Sequence, residues 1–352
     1  MFSRENVQRR NVHRRNRYPA RDRSILIWSC AHLDNAKTRK SFRINVEYDS
    51  ATKLAWNPDD RTIAIHKLAE NCVEIYKMDK KDGWFARPSK GICYPKVTNN
   101  DIVGFGISCT GRFMMSCDNG TDLYLWDVKG NQLDKIDTYL MNTYSAKISP
   151  CGRFIAACGF APDCKVWEVK FSKTGEYQKT IRAFDLSGHS SGIYDVAFDQ
   201  DTSHMATVSK DGTWKLFDTR IEYEKGQSPR CLRTGKYTQS PQSSLIALSI
   251  NAEVIAIATG RNVEIFSGST GECDATLKHV FEGAVVAITF DPMGKFLFAA
   301  GDRYVRMYHN VTGYKETNLN MQAKLKTNLT SATRERLEKQ VEENMEFLKK
   351  FS

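Results

Sequence analysis

At 352 residues, with 41% hydrophobic and 26% charged side chains, the chain has an ordinary globular composition and ample length for a large core. Its longest apolar runs, such as 284–290, fall far short of the roughly 20 residues a spanning helix needs, and its front has no apolar stretch of the secretory kind. The formal charge of +10 is concentrated at the front, where residues 1–23 hold eight Arg against Glu5 and Asp22. The remainder, with 43 basic and 39 acidic residues, is too balanced to be a phosphate-binding platform as a whole.

In chain order, residues 1–21 are Arg- and Asn-rich with little alternation and read as a basic, disordered leader. Thereafter apolar-alternating strands end on an aromatic residue seven times: Trp28, Tyr76, Trp126, Trp167, Phe217, Phe266 and Tyr308, at intervals of 48, 50, 41, 50, 49 and 42 residues. A repeat of this period, built from short strands, is the sequence form of a β-propeller. One four-stranded unit cannot bury its own faces, so the units must pack around an axis.

The expected fold is therefore all-β: a seven-bladed propeller over 22–316 followed by a C-terminal helix in 317–352. Segments 23–28 and 42–46 read as the third and fourth strands of the first blade. The leader is not expected to supply that blade's inner strands, which leaves it incomplete and its seam open. Segments 107–128, 148–169 and 288–308 each give strand, turn, strand, turn, strand, with Gly or Pro in the first turn. Segment 245–266 is a weaker copy.

The clearest unit is 188–218, GHSSGIYDVAFDQDTSHMATVSKDGTWKLFD. It resembles the WD-repeat family, in which a His, a strand Ser, a turn Asp and a closing aromatic form a buried hydrogen-bonded set. Carried over, these are His189, Ser209, Asp211 and Phe217, and Phe217 has no N–H to donate. The turn Asp stands six residues before the closing aromatic, and the same offset picks out Asp22 and Asp302. Glu70, Gly120, Ala161 and Gly260 occupy it elsewhere. In the tail, Leu337, Val341, Met345 and Leu348 fall at helical spacing among charged residues, and Thr330 or Ser331 can cap the helix. That face either packs on the propeller or makes a short coiled-coil contact.

Three stretches, 141–169 (MNTYSAKISPCGRFIAACGFAPDCKVWEV), 208–219 (VSKDGTWKLFDT) and 294–310 (GKFLFAAGDRYVRMYHN), resemble the transducin beta-like protein 2 family. The resemblance spans roughly 22–350. It implies a non-enzymatic scaffold on the cytosolic face of the endoplasmic reticulum. The implied partners are proteins of the unfolded-protein response, among them a stress-sensing kinase that acts on a translation initiation factor, with links to ribosome and RNA. The family carries an N-terminal membrane segment that this chain lacks, so membrane association is expected through a segment outside it, and a cytoplasmic location for the chain by itself. Lys210 and Arg303, beside the turn Asp residues, and the helix face at Leu337, Val341, Met345 and Leu348 are the candidate partner-binding residues.

No catalytic, metal or cofactor site is expected. Gly104 and Gly106 lack the third glycine of a dinucleotide loop, and no Lys-Ser/Thr pair follows them. His189, Ser209 and Asp211 are positions of the blade itself rather than a triad, which would need an exposed serine with oxyanion donors. The ten cysteines show no zinc spacing. Cys151, Cys158 and Cys164 read as reduced, buried small hydrophobes of a cytosol-facing protein. The alternative function is an RNA- or ribosome-associated cytosolic propeller that uses the Arg-rich front.

Overall fold

The structure is a computed structural model. It describes residues 5–9, 23–29, 41–46, 49–81, 84–96, 98–327 and 330–351. From Ala51 one unit recurs, an antiparallel meander whose strands pair in sequence order. Blades 1 to 5 (51–93, 102–137, 143–186, 193–236 and 245–277) have four strands each, and blade 6 (285–309) has three. The innermost strand of each blade touches that of the next, which sets the blades around a common axis.

The second strand of each blade lies between neighbouring sheets and is buried on both faces. It therefore reads as a largely apolar or small-residue run: Thr62–Lys67, Met114–Asp118, Phe154–Gly159, His204–Ser209, Val254–Thr259 and Phe296–Gly301. Alanines such as Ala64, Ala156, Ala206, Ala256 and Ala299 are fully buried there, because small side chains let the sheets approach near the axis. Outermost strands such as Gln132–Asp137 and Arg230–Lys236 face water on one side and are polar. Turn chemistry follows the same logic. Gly152 has φ 69 in the Pro150-Cys151-Gly152 turn, and a Cβ there would meet the Cys109 sulfur at 2.8 Å.

Packing lies between blades. One junction buries Phe113, Leu123, Leu125, Ile155 and Trp167 between blades 2 and 3. Another buries Trp214, Leu216, Ile246, Ile255 and Phe266 between blades 4 and 5. Blade 6 is joined to blade 5 through Val254, Val263, Val285 and Leu297.

The expectation of seven blades with an incomplete first one is corrected: the described residues form six blades. At the front is a three-stranded sheet, Glu5–Arg9, Ser24–Ser29 and Ser41–Asn45, rather than a blade of the recurring build. The leader segment Glu5–Arg9 pairs with Ile25–Ser29 along its length, so part of the leader is a strand and not disordered. The rest of the leader lies outside the described residues. Ile25, Ile27, Ile44 and Val46 bury the front sheet against Ile63, Ile65, Tyr76 and Met78 of blade 1.

The tail holds two helices where one was expected, α1 (Val311–Leu325) and α2 (Ser331–Leu348). The division at 316/317 falls inside α1, which begins one residue after Asn310 caps it by accepting from Gly313 N at 3.1 Å. Few apolar residues mark α1, since polar bonds hold it to blade 5. Thr312 and Lys315 bond Asp274 at 2.8 Å, and Thr317 and Asn320 bond Glu253 at 3.1 and 2.6 Å.

Candidate functional site: blade networks and interaction faces

Blade 4 carries the fullest polar network. Gly188, at φ 115, turns the chain so that His189 enters beneath the turn at residues 210–212. The His189 ring is fully buried. Its Nδ1 lies 2.9 Å from Asp211 Oδ2 and its Nε2 lies 2.8 Å from Thr207 Oγ1. Asp211 also accepts from Ser190 N at 3.1 Å and from the Thr213 amide and hydroxyl at 2.8 and 2.6 Å. Burial works to raise the Asp211 pKa, but the bonds from Thr213, Ser190 and His189 overcome it and hold the carboxyl at about 2. Burial lowers the His189 pKa against the pull of Asp211. The neutral ring therefore donates from Nδ1 to the carboxylate and accepts at Nε2 from Thr207.

This corrects the expected member of the set: Thr207, and not Ser209, is the hydroxyl on His189. Ser209 lies two residues further along its strand, roughly 7 Å away. It donates to the Ser191 and Gly192 carbonyls at 3.1 and 3.0 Å and accepts from Asp211 N at 3.1 Å. With its oxygen fully buried and committed to the backbone, Ser209 has no access to a substrate. Phe217 is buried and contributes packing alone.

Thr207 stands ten residues before its closing aromatic, and that offset identifies equivalents that the sequence reading passed over. Ser116 accepts from the Trp126 indole at 2.9 Å in blade 2. His66 in blade 1 contacts Thr52 at 2.6 Å and Asn71 at 2.8 Å. In blade 6, Asp302 receives Glu282 N at 2.9 Å and Gly283 N at 3.1 Å, the turn-fastening role expected for it. Asp22 lies outside the described residues.

A second network missed by sequence reading ties three blades at the axis. Buried Asp195 accepts from Ser145 at 2.7 Å, from Lys147 at 3.0 Å and from Ile246 N at 3.0 Å. Cys158 and Cys164 are buried as expected, and burial pushes the Cys158 thiol well above the ordinary range. Cys151 is exposed, a correction that follows from its place in a surface turn.

The candidate partner-binding residues fall on opposite faces. Lys210 and Arg303 are exposed in the turns between second and third strands, on the face formed with the loops that link blades. Gln239 of one such loop bonds the Lys210 carbonyl at 2.7 Å. The helices cover the other face, where Glu253 and Asp274 lie. Val341 is buried against the tail and is therefore not free to receive a partner. Leu337 and Leu348 are half-buried, and Met345 is exposed. The docking of α2 uses Phe347 and Phe351, which pack on Tyr314 and His309, and Asn344, which bonds Asn318 at 3.0 Å. Among the described residues no group of three or more His, Cys, Asp or Glu is arranged to hold a metal ion, and no helix is long and apolar enough to cross a membrane.

Meander blades, one of them fastened by His, Thr and Asp, define the class: a WD-repeat propeller with two C-terminal helices. The model of the WD domain, G-beta repeat, matches residues 178–218 and 271–309. Transducin beta-like protein 2 of Mus musculus is 41% identical over 332 residues, covering 94% of this chain and 75% of that protein. The Homo sapiens protein is 40% identical over 333 residues, covering 94% and 74%. Eukaryotic translation initiation factor 3 subunit I of Oryctolagus cuniculus is 29% identical over 154 residues, covering 39% and 42%. The chain belongs to the transducin beta-like protein 2 family.

Proposed function

We propose that this chain is a non-enzymatic scaffold that docks protein partners of the unfolded-protein response at the cytosolic face of the endoplasmic reticulum, including a stress-sensing kinase that controls translation. The observation that carries the reading is the identity of 40–41% to transducin beta-like protein 2 over 94% of the chain. The commitment of His189, Ser209 and Asp211 to the fold supports the non-catalytic part. The propeller and its two helices offer separate faces for partners.

The test is co-precipitation of the kinase with the tagged chain from cells under reticulum stress, with and without ribonuclease. The reading expects capture that survives ribonuclease, and absence of the kinase from the precipitate contradicts it. Charge reversal of Lys210 and Arg303 together is expected to weaken capture without lowering the melting temperature, because both side chains are exposed. Unchanged capture removes that edge from the interface.

A second reading, an RNA- or ribosome-associated propeller, is favoured by the similarity to an initiation-factor subunit over 39% of the chain. It expects ribonuclease-sensitive complexes whose affinity falls steeply with salt as phosphate contacts release counterions.

A further inference from the structure

Around the axis most large apolar side chains are buried between blades, but the loop joining blades 2 and 3 turns two of them outward. Tyr139 and Met141 are 73% and 71% exposed, and Leu140 between them is fully buried. Both exposed residues have left-handed backbone, with φ 50 and 63, which side-chain-bearing residues rarely adopt. Asn142 N donates to the Leu140 carbonyl at 2.7 Å across Met141, a tight three-residue turn.

Strain of this kind persists only where the surroundings enforce it, and here they do. Thr138 N bonds Thr121 O at 2.8 Å, Tyr139 N bonds Asp137 at 2.8 Å, and Thr143 bonds Gly120 O through both amide and hydroxyl. Lys165 spends its ammonium on the Thr138 and Tyr139 carbonyls, at 2.9 and 3.1 Å, and lies over the Tyr139 ring. The loop is fixed, and it holds two large apolar side chains in water.

They are not alone on that face. Phe160, 52% exposed in the adjacent turn of blade 3, is fastened through its amide to Asn142 O at 2.9 Å. Tyr144, 37% exposed, packs on Tyr194 with ring centroids 6.2 Å apart. Tyr139, Met141, Phe160 and Tyr144 thus place exposed aromatic and methionine surface on adjoining segments of blades 2 and 3. The rim of that surface is acidic. Asp137, Asp163 and Asp185 lie in electrostatic reach of Lys165. Against these three carboxylates stand two cations, Lys165, which keeps its charge while bonding neutral carbonyls, and Arg182, paired with Asp185, so the rim is left with one net negative charge.

We propose that this patch is the docking site for an extended peptide segment of a protein partner, bearing an apolar anchor residue with a Lys or Arg beside it. The inference rests on the scaffold reading and adds to it the place and the chemistry of one contact. Exposed aromatic and methionine surface takes the apolar anchor. The Phe160 face and the Asp163 carboxylate favour a neighbouring cation. The same acidic rim repels phosphates, which disfavours a nucleic acid here although bases also stack on aromatic rings.

The test overlays the full chain on an array of short synthetic peptides that vary in apolar anchor and in flanking charge, with oligouridylate RNA as competitor. Peptides pairing an apolar anchor with Lys or Arg should bind best. The double variant Met141→Ser, Phe160→Ser should lose at least about tenfold in affinity with an unchanged melting temperature, since both side chains are exposed. A second variant, Asp163→Lys, should weaken the basic peptides and spare acidic ones. Equal binding by wild type and double variant overturns the patch and leaves a scaffold that works through another face. Binding of no peptide class overturns the patch too, and the kinase co-precipitation then judges the scaffold separately. Displacement of the peptides by RNA overturns both.

Discussion

At the scale of single residues, His189 is held by bonds at both ring nitrogens whose loss is unequal to deletion of a surface contact. Thr207→Val keeps the shape of the side chain but strands His189 Nε2 in a fully buried place. It is expected to cost about 1–3 kcal/mol, read as a shift of the urea midpoint at unchanged slope. The pH dependence just below neutrality draws on two histidines. Burial lowers the pKa of both His66 and His189 from the ordinary 6.5, so the unfolded chain takes up these protons more readily than the folded one. Stability from this source is complete above pH 6.5 and declines as pH falls below it. His189→Gln should flatten part of that decline in a pH series of thermal melts, and an identical slope in the variant would contradict the assignment. The His189–Asp211 pair was legible because both residues come from one repeat with a known spacing. Thr207 was not, because Ser209 offers the same hydroxyl on the same face of the strand. Asp195 was not, because its partners Ser145, Lys147 and Ile246 lie about 50 residues away in other blades.

At the scale of elements, the strands were readable from alternation and closing aromatics, since each blade is a local meander. The tail was readable only in part. The apolar spacing of α2 announces a helix, but α1 carries a polar face that bonds Asp274 and Glu253, and nothing periodic marks it. The apolar stripe named Leu337, Val341, Met345 and Leu348. The helix docks through Val341 together with Phe347 and Phe351, which meet the aromatic His309 and Tyr314. Asn310→Ala removes the cap of α1 and its bond to the Gly294 carbonyl. The expected cost is about 1 kcal/mol, with faster amide exchange confined to α1 and its contact with blade 5. Exchange that rises uniformly over the propeller would mean the helix is not a separate element resting on it.

At the scale of the molecule, the front sheet stands where the repeat called for a seventh blade, and it packs on blade 1. On blade 6, Val286, Tyr304 and Val305 remain exposed. The period of the aromatic endings counts seven units where the described residues form six blades and a front sheet, because the pairing partners at the front come from a segment without alternation. On the proposed function, this propeller works by holding proteins. The most direct measurement is the size of the native complex on a density gradient, run from cell extract with and without ribonuclease. A scaffold of this kind should run as a particle larger than the 40.1 kDa chain that keeps its position after ribonuclease. Sedimentation as the free chain, or collapse to it when RNA is digested, would contradict the claim.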